Sequence, residues 1–259
     1  LPGDSVRLQF QVEFGVEGFA NREQNLELVE NGTFFNSGLL PSFGYDANAE
    51  LATDDTRRKH DLEPKERMAP LEDTVAARNN YISRDADWID FAMTVGTSPD
   101  QIALAPGYLQ REWTQDGRRY FRYEMDSPIL NMYSVLSARY VVERDRWGDV
   151  AIEVYHHPGH EYNVGRMIDA VKKSLDYFTA NFSPYQHKQV RILEFPRYRT
   201  FAQSFPNTVP YSEGIGFIMR VRDKDDDLDM PYFVTAHEIA HQWWGHQVVG
   251  AVFTFAIEY

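Results

Sequence analysis

The sequence contains no cysteine. A disulfide framework and a thiolate metal site are both excluded, and the absence is compatible with any compartment. Long hydrophobic runs are missing too. The longest nearly apolar stretch, Val248 to Ile257, is about half of what a membrane helix needs, so the chain is expected not to span a membrane. The first residues, Leu1-Pro2-Gly3-Asp4, have neither the basic start nor the apolar core of a signal peptide. An excess of positive charge is also absent, the formal net charge being −13. That balance argues against nucleic acid as a partner and leaves no basic patch for anionic lipid. A negative field can attract a cationic peptide N-terminus, but it equally serves plain solubility. What is present is a globular composition: 43% hydrophobic, 14% aromatic and 25% charged over 259 residues, enough for one large domain or two smaller ones.

Along the chain, residues 6–14 alternate without a fault: Val6, Leu8, Phe10, Val12 and Phe14 face one way, and Arg7, Gln9, Gln11 and Glu13 the other. This pattern predicts a strand with one buried face. Residues 50–78 are charged and weakly apolar, with Asp54 to Lys59 expected as a solvated helix end or loop. Further strands are expected from Trp88 to Val95, Arg119 to Glu124, Val135 to Glu143 and Val150 to Tyr155. Gly96, Pro106-Gly107, Asp116-Gly117 and Trp147-Gly148 punctuate them. Short strands at hairpin spacing suggest an antiparallel sheet or sandwich.

The character changes at His156-His157-Pro158-Gly159-His160. Pro-Gly marks a turn, and the segment reads as a surface turn in preference to a metal site. The expected domain boundary lies here, giving a β-rich domain over 1–157 and a second domain over 158–259. Val164, Met167, Ile168, Val171, Leu175 and Phe178 recur at threes and fours, which predicts an amphipathic helix. A strand is expected from Gln189 to Phe195, and another through Pro210 to Val221. Gly214 and Gly216 weaken that second strand unless something approaches its backbone closely. A peptide lying along a sheet edge would do so, and a β-bulge is the alternative. Asp223 to Asp229 lacks the glycine and closing glutamate of an EF-hand, so a solvated connection is expected.

The densest chemistry lies in Val234-Thr235-Ala236-His237-Glu238-Ile239-Ala240-His241-Gln242-Trp243-Trp244-Gly245. It contains H-E-x-x-H. On a helix, residues four apart share a face, so His237 and His241 can aim two imidazoles at one point with Glu238 beside them. Two neutral nitrogen ligands for Zn²⁺ and a carboxylate next to the metal-bound water are what a zincin needs. Three fixed positions in five recur by chance, but the context supports a helix. Phe233, Ala236, Ile239 and Ala240 form an expected apolar stripe, and Pro231 marks a start.

His237 to Gly245 resembles the extended H-E-x-x-H-x-W-x-G signature of the M1 family of zinc aminopeptidases, the gluzincins. Glu213 lies 24 residues before His237, where that family has the glutamate of its G-x-M-E-N motif. The order of a β-domain, an amphipathic helix, an edge strand and a zinc helix is also similar. Tyr211-Ser212-Glu213-Gly214-Ile215 departs from G-x-M-E-N, most plainly in the missing asparagine. Within the family, the stretches Pro210 to Phe217 and Val234 to Ala251 are similar to bacterial membrane proteins that join an ABC-transporter-type permease to an M1-like soluble domain.

The resemblance implies an α+β chain: an antiparallel β-domain followed by the first part of a thermolysin-like α/β peptidase domain. It implies Zn²⁺ as cofactor on His237 and His241, and Glu238 as general base. The substrate would be a peptide with a free N-terminus, its ammonium held by Glu213 and its backbone along Gly214 and Gly216. The third ligand would be a glutamate, either Glu258 or a residue one position past Tyr259. The chain is expected to be a fragment of a longer protein, with a membrane permease region in the same parent. A peptidase-like domain that no longer cleaves and serves a transporter assembly as a binding or regulatory part is the alternative.

Overall fold

The computed structural model describes residues 5–15, 28–41, 50–65, 72–74, 88–222 and 228–248. The first part is built from β1 (Thr33–Asn36), a short helix α1 (Asp54–Arg58), β2 (Trp88–Ile89), β3 (Ala92–Thr97), β4 (Ile102–Leu104), β5 (Tyr108–Gln115), β6 (Arg118–Glu124), β7 (Ile129–Leu130) and β8 (Ser134–Ala138). They form three small sheets, ordered β1-β8-β4, β2-β7 and β3-β6-β5, and each pairing is antiparallel. β5 and β6 are joined at Asp116-Gly117, whose φ values of 48° and 72° supply the left-handed pair that a tight hairpin requires.

The second part comprises β9 (Val141–Trp147), β10 (Val150–His156), α2 (Val164–Asn181), β11 (Gln189–Phe195), β12 (Thr208–Ser212) and α3 (Met230–Ala240). Its four strands make one sheet in the order β12-β11-β10-β9. β10, β11 and β12 are parallel neighbours, and β9 is antiparallel to β10. α2 is the crossover between β10 and β11, as parallel neighbours require. Its apolar stripe buries Val164, Met167, Val171 and Leu175. These pack with Ile152, Val154, Val190, Ile192, Tyr211, Ile239 and Trp243 in one core on the helical side of the sheet. Alternate residues of the same strands, Tyr155, Leu193 and Phe195, point the other way into a core with Phe34, Phe121 and Leu136 of the first part. β11 is buried on both faces, its Arg191 and Glu194 included.

The sheet runs across the boundary expected after residue 157. β9 and β10 precede that point, yet they share hydrogen bonds and two cores with β11 and β12. The composition does shift at the histidine turn, but a turn between a strand and its crossover helix produces the same shift.

Four other expectations are corrected. Residues 5–15 form no strand, and Val6, Leu8, Phe10, Val12 and Phe14 are all exposed. Alternation specifies a face but not a partner, and a lone amphipathic strand is not stable in water. The single strand expected from Val135 to Glu143 is two, β8 and β9, divided at Arg139-Tyr140. The strand expected to continue through Val221 stops at Ser212, so Gly214 and Gly216 lie in the turns that follow β12. Finally, α3 buries Pro231, Thr235, Glu238 and Ile239, while Phe233 is 52% exposed. Ile239 alone of the expected stripe is among the buried positions.

The phase of α3 is set by its start. Asp229 caps the helix, its carboxylate accepting from the Tyr232 N–H at 3.1 Å, with proline in the first turn. The other oxygen of Asp229 accepts from Arg166 Nη1 of α2 at 2.6 Å, tying the two helices. Asp229→Ala is expected to cost about 1–2 kcal/mol, mostly from the cap. A urea midpoint unchanged from the parent would remove Asp229 from the account of how α3 is positioned.

Candidate metal centre

His237 lies one turn before the end of α3, and His241 is its C-cap residue with φ −62° and ψ −18°, still close to helical. Four-residue spacing therefore brings the imidazoles together. Their Nε2 atoms are 3.1 Å apart, and the rings stand at 89° to one another. Two nitrogens bound to one tetrahedral zinc at ordinary bond lengths sit ~3.3 Å apart. The separation is compatible with two nitrogens on one ion. His237 is exposed and His241 half-buried, so this face of the helix is open.

His241 is oriented by its other nitrogen. Nδ1–H donates to the Trp244 carbonyl at 3.0 Å, which leaves Nε2 with its lone pair. A backbone acceptor behind a histidine is the usual second support of a metal ligand. The chain can return Trp244 to that place because Gly245 follows with φ 129°, a conformation that favours glycine. Gly245 thus acts on His241 through a backbone carbonyl.

Glu238 turns to the protein side and is 6% exposed. Burial pushes its carboxyl up to about 7, against the opposing pull of the His241 charge and of a hydrogen bond from the Ser204 backbone. A carboxylate whose proton affinity matches neutral pH is suited to taking a proton and giving it back. The segment around Ser204 is fastened to the end of α3. Gln242 donates to Ser204 Oγ at 2.5 Å and to the Phe205 carbonyl at 2.9 Å, and accepts from the Asn207 N–H at 3.0 Å. His246 Nε2–H donates to the Ser204 carbonyl at 3.2 Å. Burial pulls both His246 and His187 down to about 4, so both imidazoles are neutral at pH 7. Trp243 Nε1–H donates to the Ser183 carbonyl at 3.0 Å and closes the contact with the end of α2.

Glu213 follows β12 directly, with its side chain 16% exposed. One oxygen accepts from the Arg197 backbone N–H at 3.3 Å, and the other lies 3.9 Å from His160 Nδ1. Gly214 has room for a side chain, in ordinary contact with Arg197. Gly216 is buried, and a Cβ there would collide with Tyr211 and Met167. The second glycine is explained by packing of α2 against β12. Glu258 lies outside the described residues.

The histidine turn departs from its expected place at the surface. Pro158-Gly159 does form a turn, with Gly159 at φ 86° and the His160 N–H bonded to the His157 carbonyl at 3.1 Å. Yet His156 and His157 are buried. His157, His160, Glu194 and Glu213 each offer a ligand atom, all within 4.8 Å of one another. Sequence reasoning missed this group because its members come from three separate segments. One signal was available: Glu194 is an acidic residue in an otherwise apolar run ending at Phe195, and it is fully buried.

No protein-family model matches the chain. Over 162 residues it is 24% identical to Aminopeptidase M1-B of Oryza sativa subsp. japonica, a stretch covering 61% of this chain and 18% of that protein. The chain therefore spans less than a fifth of the length of the curated relative it matches. This is a distant, partial, peptidase-like relationship.

Proposed function

We propose that this chain carries the first part of a zinc aminopeptidase site, on the opening portion of a thermolysin-like peptidase domain. The observation that supports it best is the His237–His241 pair, with Nε2 atoms 3.1 Å apart on an open helix face and Glu238 buried beside them. The mixed sheet packed against α2 and α3 suits such a domain, and the distant likeness to an aminopeptidase points the same way. His237 and His241 would hold the ion, and Trp244 would keep His241 in the ligating tautomer. Zinc in such a site lowers the pKa of a bound water and polarises the scissile carbonyl. Glu238 would take the proton of the attacking water and return it to the leaving amine. Glu213 would pair with the substrate ammonium, which favours free N-termini and disfavours blocked ones. No helix among the described residues is long and apolar enough to cross a membrane. The proposal places this chain as the peptidase-like part of a longer membrane protein with a permease region, on the strength of the stretches around Glu213 and His237.

Two imidazoles are an incomplete zinc site. Zinc that depends on His237 and His241 is expected to be substoichiometric in this chain after gel filtration. One full equivalent is expected in a chain extended beyond Tyr259. Metal analysis of both, each compared with its His237→Ala/His241→Ala variant, checks this. Full histidine-dependent occupancy that falls on Glu258→Gln would make Glu258 the third ligand. Zinc that is indifferent to both histidines in the longer chain would end the proposal.

A further inference from the structure

The cluster at the histidine turn uses none of the residues assigned above to zinc. Its centre is Glu194 on β11, a carboxylate with no exposure to solvent. A buried carboxylate needs a cation or strong donors close by. One oxygen of Glu194 accepts from the His157 backbone N–H at 2.5 Å, and the other accepts from His160 Nδ1 at 2.5 Å. The same oxygen lies 3.5 Å from His157 Nδ1. The His157 side chain is 11% exposed, and its Nε2 is buried with no hydrogen-bond partner. It is stacked on Tyr140, whose hydroxyl donates to the Glu194 carbonyl at 2.7 Å. The ring is held with Nδ1 facing the buried carboxylate, and that nitrogen is the one a cation between them would use.

We propose that His157, His160, Glu194 and Glu213 form a second site for a divalent transition-metal cation. The donor set is two imidazole nitrogens and two carboxylate oxygens, which suits Zn²⁺ and its neighbours rather than Mg²⁺ or Ca²⁺. Ligand atoms of a tetrahedral zinc lie ~3.3 Å apart. The His157–Glu194 separation of 3.5 Å and the His160–Glu213 separation of 3.9 Å are close to that, while the His160–Glu194 hydrogen bond opens by a fraction of an ångström as its proton is displaced. The Pro-Gly turn is then the device that brings two histidines onto one ion. On the reading proposed above, Glu213 also holds the substrate ammonium, so cation and substrate exclude each other there.

The test removes the first site and does not depend on activity. In this chain carrying His237→Ala and His241→Ala, stripped with chelator, Co²⁺ followed by its visible absorption and Zn²⁺ followed by calorimetry are expected to bind one equivalent. Adding His160→Asn or Glu213→Gln is expected to weaken binding by about tenfold or more, and to abolish the rise in melting temperature that the metal gives. Glu194 is left intact, since its burial makes a folding defect the first effect of changing it. Binding that is absent from the doubly substituted chain, or unmoved by both added substitutions, would overturn the proposal and leave the His160–Glu194 hydrogen bond as the reason for the cluster.

Discussion

In a chain extended to complete the zinc site, Glu238→Gln is expected to keep its zinc and to lose ~10²-fold or more of its turnover. The amide matches the carboxylate in shape and can still accept the Ser204 backbone hydrogen bond, so the end of α3 has no reason to move. What it lacks is the ability to take a proton. Burial raises the Glu238 carboxyl above its ordinary value, which strengthens it as a proton acceptor. A glutamine at the same place removes that step and little else. The measurement is kcat on a free-amine peptide, with zinc content determined on the same sample. Near-full turnover with zinc retained would take Glu238 out of the mechanism.

Glu213→Ala addresses specificity. An ion pair with the substrate ammonium forms only when the N-terminus is free. Truncating one partner of a desolvated charge pair costs about 2–5 kcal/mol, part of it from the partner left alone. The expected result is a fall in kcat/KM of roughly 30-fold or more for free-amine peptides and little change for N-acetylated ones. The position suits the role: Glu213 is mostly buried but retains an accessible edge, and one of its oxygens is fixed by the Arg197 backbone. Both peptides are assayed on both proteins with zinc bound. Equal cleavage of blocked and free peptides by the wild type would point to an endopeptidase. Cleavage of neither, in a complete domain with zinc present, would favour a binding module.

The parts of the fold that could be read from the sequence are those whose pattern is local. The stripe from Val164 to Leu175 specifies α2, and the stretch from Gln189 to Phe195, closed by Pro196, gives β11 with its observed ends. H-E-x-x-H needs only the helical repeat to bring His237 and His241 together. β4 and β5 were not expected: Ile102 to Leu104 is too short to show a period, and β5 carries exposed side chains over most of its length. Phe233 does not report the phase of α3: it is large and apolar, yet it shares the open face with His237. The partner of a strand and the meeting of residues 157, 160, 194 and 213 depend on long-range contacts, and neither leaves a periodic trace.

The shared sheet has a consequence for any attempt to divide the chain. A piece beginning at residue 158 would keep β11 and β12 but shed β10, the neighbour to which β11 is bonded from Gln189 to Leu193. β11 would become an edge with its ladder groups unpaired, which invites pairing with other copies. It would also lose Ile152 and Val154, against which α2 is packed. The cut that keeps the four-stranded sheet whole is before Val141, where the β9–β10 hairpin begins, and it uncovers Tyr155, Leu193 and Phe195. That hairpin would then leave with the peptidase-like half, as the protective border of its sheet.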